Sequence, residues 1–290
     1  MIWAAATLIA AALQTARNAA QAGLDAIIGT AGATSVRFIF GLPFAVLVLA
    51  VIAAVTGLPR PGAATLGWAA FGAVAQIAAT GFMLLTMRGR GFGVATALMK
   101  TEPVSLALIG ALVLAEPLSL PRLAAIAIAV GGVILISAAD WSRASLRSIL
   151  TGVTAGVLFG LSAIGFRGAI LTLSDGSFVT KAALVLVITL AIQTAMCLLW
   201  LAAVNRPALM GMKREARTSL AAGALGGFAS LFWFIGFALT PAANVRTLAL
   251  VEVVFAQVVS GRVFRQSVTM RQIAGMALIL GGVALLLRFA

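Results

Sequence analysis

Ten stretches of mostly apolar residues follow one another with short breaks, roughly 2–23, 30–56, 66–87, 92–115, 121–139, 148–171, 178–203, 218–239, 243–262 and 271–289. About twenty apolar residues in a helix match the hydrocarbon thickness of a bilayer. A backbone inside lipid must satisfy its own hydrogen bonds, so such runs predict transmembrane helices. The breaks are rich in glycine and proline: Gly57 to Gly62, Gly89-Arg90-Gly91, Pro117 to Pro121 and Thr240-Pro241. The most polar connections, Asp140 to Arg147 and Asn205 to Thr218, are too short to hold a soluble domain.

Composition agrees with that reading. Residues are 62% hydrophobic and 9% charged, and mean hydropathy is +1.15. A soluble domain would be nearer half apolar and a quarter charged. No positively charged segment with a cleavage site stands apart at the N-terminus, so no removable signal peptide is expected. The net charge of +13 comes from basic residues scattered singly at helix ends. Their expected task is to orient helices in the bilayer, and no nucleic-acid partner is expected. Cys197 is alone in an apolar run and histidine is absent, which leaves no disulfide, no cysteine metal site and no expected cofactor.

The chain also repeats itself. Residues 94–136 lie over 244–286 at a constant offset of 150, without a gap. Val94-Ala95-Thr96 falls on Asn244-Val245-Arg246, Glu102 on Glu252, and Gly131-Gly132-Val133 on Gly281-Gly282-Val283. One repeat holds five helices, an odd number, so the second copy enters the bilayer from the opposite side. The expected fold is an all-α integral membrane protein of ten transmembrane helices. It divides into two inverted five-helix repeats, 1–145 and 146–290.

Among the acidic residues Asp25, Glu102, Glu116, Asp140, Asp175, Glu215 and Glu252, only Glu102 and Glu252 sit midway along an apolar run. A charge there costs about 2.5–3.5 kcal/mol on insertion scales, so it should face a cavity or a partner. Lys100 is the other deep charge. It lies two residues from Glu102, about 200° around a straight helix, although Pro103 can bend that helix. Lys100 is therefore free to pair with Glu252 across the repeat.

In the first run Gln14, Arg17, Asn18 and Gln21 fall at i, i+3, i+4 and i+7, one polar stripe that cannot face lipid. The stripe either bonds to neighbouring helices or lines a substrate path. In the ninth run Arg246 and Gln257 share a side, and Arg246 is near enough to the helix start to snorkel. Arg37 is similarly near a helix end, while Arg167 and Lys181 read as interface anchors. Trp233 belongs to an aromatic group with Phe228, Phe232, Phe234 and Phe237, whose ordinary role in a membrane helix is packing.

Several short motifs carry a family resemblance. Thr101-Glu102-Pro103-Val104, then Ala115-Glu116-Pro117-Leu118-Ser119, resembles the "EP" and "GE-x-L" helix-end turn of the drug/metabolite transporter superfamily, in its EamA-domain branch. Ser35-Val36-Arg37-Phe38 resembles that family's arginine near the start of its second helix. The resemblance spans essentially the whole chain. The second copy departs from it, with Val253 in place of the usual proline and Gln266-Ser267 in place of Glu-Pro.

These features predict a secondary transporter of a small organic solute, multi-pass in the inner or plasma membrane, working by alternating access as a monomer. Glu102, and secondarily Glu252, would carry the coupling proton. A site of acids (Glu102, Glu252), bases (Arg17, Lys100, Arg37, Arg246) and amides (Gln14, Asn18) suits a zwitterion such as an amino acid. Organic cations, drugs or a small organic anion are the alternative substrates. The resemblance implies export. A membrane enzyme would need catalytic groups near an interface, and the usual acid–base, metal and nucleophile sets are missing. A non-transporting scaffold or receptor would leave the deep charges unexplained.

Orientation divides the two lines of argument. The connections after odd-numbered runs hold eleven basic residues (Arg88, Arg90, Arg143, Arg147, Arg206, Lys213, Arg214, Arg217, Arg262, Arg265 and Arg271). The other side holds five (Arg60, Arg122, Arg167, Lys181 and Arg288), which puts both termini outside by the positive-inside rule. The resemblance implies cytoplasmic termini. Cysteine introduced at Ser142 or Ser267 decides the matter. The charge count expects labelling by an impermeant thiol reagent only from the cytoplasmic side, and labelling from outside reverses it.

Overall fold

The computed structural model describes residues 1–87, 97–137, 145–255 and 269–289, and these are helical with no strand. The helices are α1 (Ile2–Ile39), α2 (Gly41–Thr56), α3 (Ala63–Met87), α4 (Glu102–Val113), α5 (Leu120–Ser137) and α6 (Leu146–Leu171). They continue as α7 (Phe178–Val204), α8 (Arg206–Arg214), α9 (Ala216–Leu239), α10 (Ala242–Ala249) and α11 (Met270–Phe289). Among the described residues, seven candidate spans are long and apolar enough to cross a membrane. Large apolar side chains face outward, as at Val55 (83% exposed) and Leu112 (85%). Such a surface belongs in lipid, and the protein is a multi-pass membrane protein.

The first two apolar runs are joined without a loop. Gly29, at φ 72 and ψ 161, interrupts α1, a left-handed conformation that favours glycine. The chain folds back there, because the Gln21 side-chain amide donates to the Ala33 carbonyl at 2.7 Å. Twelve residues along a straight helix would separate them by about 18 Å. The expected loop between the seventh and eighth runs instead forms α8, capped by the Asn205 side chain.

The chain forms two compact units, each with segments from both halves of the sequence: 1–74 with 165–239, and 75–164 with 240–290. α3 and α6 each run from one unit into the other. In the first unit α9 packs against α1, α2 and α7. Glycines permit this: a Cβ on Gly223 would stand 2.4 Å from that of Phe40, and one on Gly41 3.3 Å from the Gly223 carbonyl oxygen. Phe166 stacks on Phe234 with ring centroids 4.7 Å apart, fixing the end of α6 to α9. Two cations satisfy carbonyls at helix ends, where the dipole is negative. Arg167 donates to Phe237 O, and Lys181 Nζ lies 2.6 Å from Leu173 O.

In the second unit α5 crosses α11 at backbone contact, and the contacts are reciprocal. A Cβ on Gly132 would lie 2.5 Å from Gly275 O and 2.9 Å from Ile279 N. A Cβ on Gly282 would lie 2.7 Å from Ala125 O and 2.6 Å from Ala129 N. Adding 150 to 132, 125 and 129 gives 282, 275 and 279, so each copy makes to the other the contact it receives. The turn after α4 is also resolved. Glu116 N–H donates to the Gly110 carbonyl, and Ala115 takes φ 51, a position where glycine would be unstrained.

The glycine pairs supply their own controls. Gly132→Ala and Gly282→Ala should each destabilise the protein by about 1–3 kcal/mol, the usual range for overpacking. Gly131→Ala and Gly281→Ala, which meet nothing within 4 Å, should be neutral or better. Thermal unfolding in detergent reads the difference, and equal loss at all four positions contradicts the packing.

Candidate functional site

The apolar run containing Glu102 is not one continuous helix. Helical residues 97–99 give way to a turn at Lys100 and Thr101 before α4 begins at Glu102. Thr101 N–H bonds the Leu98 carbonyl at 3.2 Å, a tight three-residue step. Pro103 has no N–H, so the carbonyl four residues back lacks its helical donor. The second copy breaks at the matching place. α10 ends at Ala249 and is capped by Leu250, whose N–H bonds Thr247 O at 3.1 Å, and helix resumes over 251–255. No proline enforces this second break. The expectation that the fourth and ninth runs are unbroken helices is corrected, and with it the 200° separation of Lys100 from Glu102.

Four charges gather at the two breaks. Lys100 Nζ pairs with Glu252 Oε1, and Arg246 Nε lies 3.1 Å from Glu102 Oε1. Each base belongs to one copy and its acid to the other, and the four charges sum to zero. Glu102 stands in the first turn of α4, where a helix N-terminus carries partial positive charge. Arg246 stands in the last turn of α10, at the negative end. Lys100 directly follows helical residues 97–99, and Glu252 is the second of 251–255, with the same match of sign. The helix ends and the ion pairs therefore favour one arrangement of charge. Side-chain exposure runs from 12% at Glu102 to 31% at Lys100, so the cluster is not sealed.

α6 supplies the floor. Gly156 and Gly160 are one turn apart, and small residues at that spacing let helix backbones approach closely. A Cβ on Gly156 would stand 3.3 Å from the Leu98 and Met99 carbonyl oxygens, and one on Gly160 3.8 Å from Glu102 Cγ. The spacing was visible in the sequence but acquires meaning only beside the break. Arg246, near enough to its helix start to snorkel, here reaches Glu102.

The other expected residues lie elsewhere or beyond description. Arg17 (7% exposed), Gln14, Asn18, Gln21 and Arg37 belong to the first unit, on the two limbs of α1. Arg17 donates to Asn18 Oδ1 from Nη2 at 2.7 Å and from Nε at 3.3 Å. Gln14 is half-buried and Asn18 exposed, so the stripe is not uniformly enclosed. Trp233 is buried in α9 with Phe234 and Phe237. Gln257 lies outside the described residues.

The sequence model of the EamA-like transporter family matches residues 146–288. Through these residues the chain belongs to the EamA-like transporter family. That family is part of the drug/metabolite transporter superfamily. A solved chain described only as "Crystal structure of protein" shares the fold, with a TM-score of 0.72 at 14% identity over 99% of this chain and 97% of that one. No curated protein matches the chain. The EamA-like segment includes Arg246 and Glu252, while their partners Glu102 and Lys100 precede it.

The pairing is open to a mutant cycle. Glu252→Gln leaves Lys100 without its counter-charge and should destabilise by up to about 3 kcal/mol, the lower end for a fully buried pair. Lys100→Met alone should also destabilise, and Lys100→Met combined with Glu252→Gln should lose less than the two single changes summed. Strict additivity of the two single changes in denaturant unfolding would mean the pair is not coupled.

Proposed function

We propose that this EamA-like protein is a secondary transporter of a small organic solute, built as two inverted five-helix repeats and working by alternating access. The observation that carries the reading is the crossed pair of ion pairs at two helix breaks. Secondary transporters commonly place substrate and coupling ions at discontinuous helices, where half-helix ends meet charge. The reciprocal glycine contacts of α5 and α11 support the twofold relation of the repeats.

Glu102 is the proposed coupling group. While ionised it holds Arg246. Protonation removes that charge and frees the guanidinium, which then donates two parallel N–H bonds to a substrate carboxylate. Release of the proton restores the Glu102–Arg246 pair and displaces the carboxylate. Proton and substrate thereby favour the same state of the pair, which gives a positive coupling free energy without direct contact between them. Glu252 and Lys100 offer the complementary acid and base, so a zwitterion of amino-acid type is the proposed cargo. Organic cations would use the acids alone and leave both bases idle.

In proteoliposomes loaded with a radiolabelled amino-acid mixture, Glu102→Gln should abolish movement driven by a pH gradient while preserving counterflow exchange. Driven transport near the wild-type rate excludes Glu102 as the coupling site. Absence of counterflow in the wild-type protein excludes the amino-acid cargo.

A further inference from the structure

Several cations are held by the protein itself. Lys100 and Arg246 are ion-paired, while Arg122, Arg167 and Lys181 donate to backbone carbonyls near helix ends. A second group is presented outward instead. Arg206, Lys213 and Arg214 of α8 and Arg217 at the start of α9 are all exposed. None of the four makes an ion pair among the described residues. Arg206 Nε donates to the Ala202 carbonyl at 2.9 Å, which lays its guanidinium back along the end of α7. Glu215 is the one carboxylate in the same segment.

The helical repeat sorts α8 into two sides. Positions 208 and 212 share one, and positions 206, 210, 213 and 214 share the other. Ala208 and Met212 are buried in one apolar cluster with Leu24 and Ile28 of α1. A Cβ on Gly32 would stand 3.1 Å from Ala208 Cβ, and one on Gly211 would meet Ile28 Cγ2, so α8 lies directly on the fold-back of α1. Its apolar side is thus occupied by the protein, and Arg206, Lys213 and Arg214 surround the exposed Met210 on the outer side. The neighbouring helices give the level at which this face stands. Trp200 and Val204 are exposed at the end of α7, and Leu220 is exposed near the start of α9. Exposed apolar side chains of this kind belong in lipid, and an exposed Trp near a helix end marks the headgroup level. The four cations fill the interval between 204 and 220, where acyl chains give way to headgroups.

We infer that the outer face of α8, together with Arg217, docks anionic phospholipid headgroups at the membrane surface. Charge complementarity selects the occupant. Clustered bases beside a membrane helix attract acidic lipid, by about fivefold in affinity for each cation. A phosphodiester also accepts paired N–H bonds from a guanidinium, of which the face offers three. A zwitterionic headgroup carries its own cation and gains little from the same residues. Because α8 rests on the fold-back of α1, a bound headgroup ties the Gly29 turn to the membrane surface. None of these side chains belongs to the two crossed ion pairs, so the docking stands apart from the transport reading.

The test titrates full-length protein in neutral detergent with phosphatidylglycerol or phosphatidylcholine and counts bound lipid by native mass spectrometry. The first phosphatidylglycerol should bind at least tenfold more tightly than phosphatidylcholine. Replacing Arg206, Lys213, Arg214 and Arg217 together by Gln should remove that preference. A control removes the same number of exposed charges elsewhere, at Arg60, Arg147, Arg271 and Arg288, and should keep the preference within about twofold, since charges beyond a Debye length are largely screened. Higher ionic strength should weaken phosphatidylglycerol binding and leave phosphatidylcholine unchanged. Should the fourfold variant fail to fold, Lys213→Gln with Arg214→Gln carries the comparison and should lose about 25-fold. Equal affinity for the two lipids, or an equal loss in the control, overturns the docking face. So does soluble polyglutamate that binds this face while phosphatidylglycerol does not, because an acidic soluble partner is then the better occupant. Glu102→Gln should bind phosphatidylglycerol as the wild type does, which keeps this outcome separate from that of driven transport.

Discussion

A helix broken inside a bilayer exposes backbone groups and helix-end charge that lipid cannot solvate, and everything notable here answers that constraint. The breaks at Lys100–Thr101 and Leu250 would be liabilities alone. Together they create two positive and two negative helix ends, onto which Glu102, Glu252, Lys100 and Arg246 fit by sign. The carboxylates and the breaks explain each other. Glu102 or Glu252 within an unbroken helix would have no positive end to face, and a break without them would leave amide donors with no acceptor of matching charge.

Much of this could be read from residues alone, because lipid leaves the backbone few options. The apolar runs coincide with helices to within a few residues at most ends. The offset of 150 led to Glu102 and Glu252 together, and the pairing of Lys100 with Glu252 followed from asking what a deep lysine could reach. Other features stayed hidden for identifiable reasons. The break before Glu252 has no proline, since Val253 stands there, so nothing local announced it. Arg246 lies six residues before Glu252, and its place near the helix start left snorkelling and a site role equally open, because nothing local pointed to Glu102 in the other copy. α8 was hidden because nine amphipathic residues give too weak a signal against two polar flanks. The division into compact units cannot be read linearly, as α3 and α6 each contribute to both.

Glycine shows the same limit from another side. Gly131-Gly132 and Gly281-Gly282 repeat as pairs, yet only the second of each touches backbone across the crossing. Successive helical residues point about 100° apart, so one glycine of a pair can face the partner helix while its neighbour faces away. A repeated motif therefore identifies a crossing without saying which atoms make it. The reciprocity of the 132 and 282 contacts supplies that, and it is difficult to obtain unless the two segments are related by a local twofold.

That twofold is imperfect in a way that bears on mechanism. The acids are retained at 102 and 252, but Lys100 corresponds to Leu250, and Arg246 to Thr96. Each copy carries its carboxylate at the shared position and its base at a different one. One pair joins a carboxylate to a guanidinium, which does not give up its proton under physiological conditions; the other joins one to an ammonium, which can. Proton transfer within Lys100–Glu252 would neutralise both partners, whereas a proton arriving at Glu102 leaves Arg246 charged and seeking a new anion. The two pairs are therefore chemically unequal despite their symmetric placement.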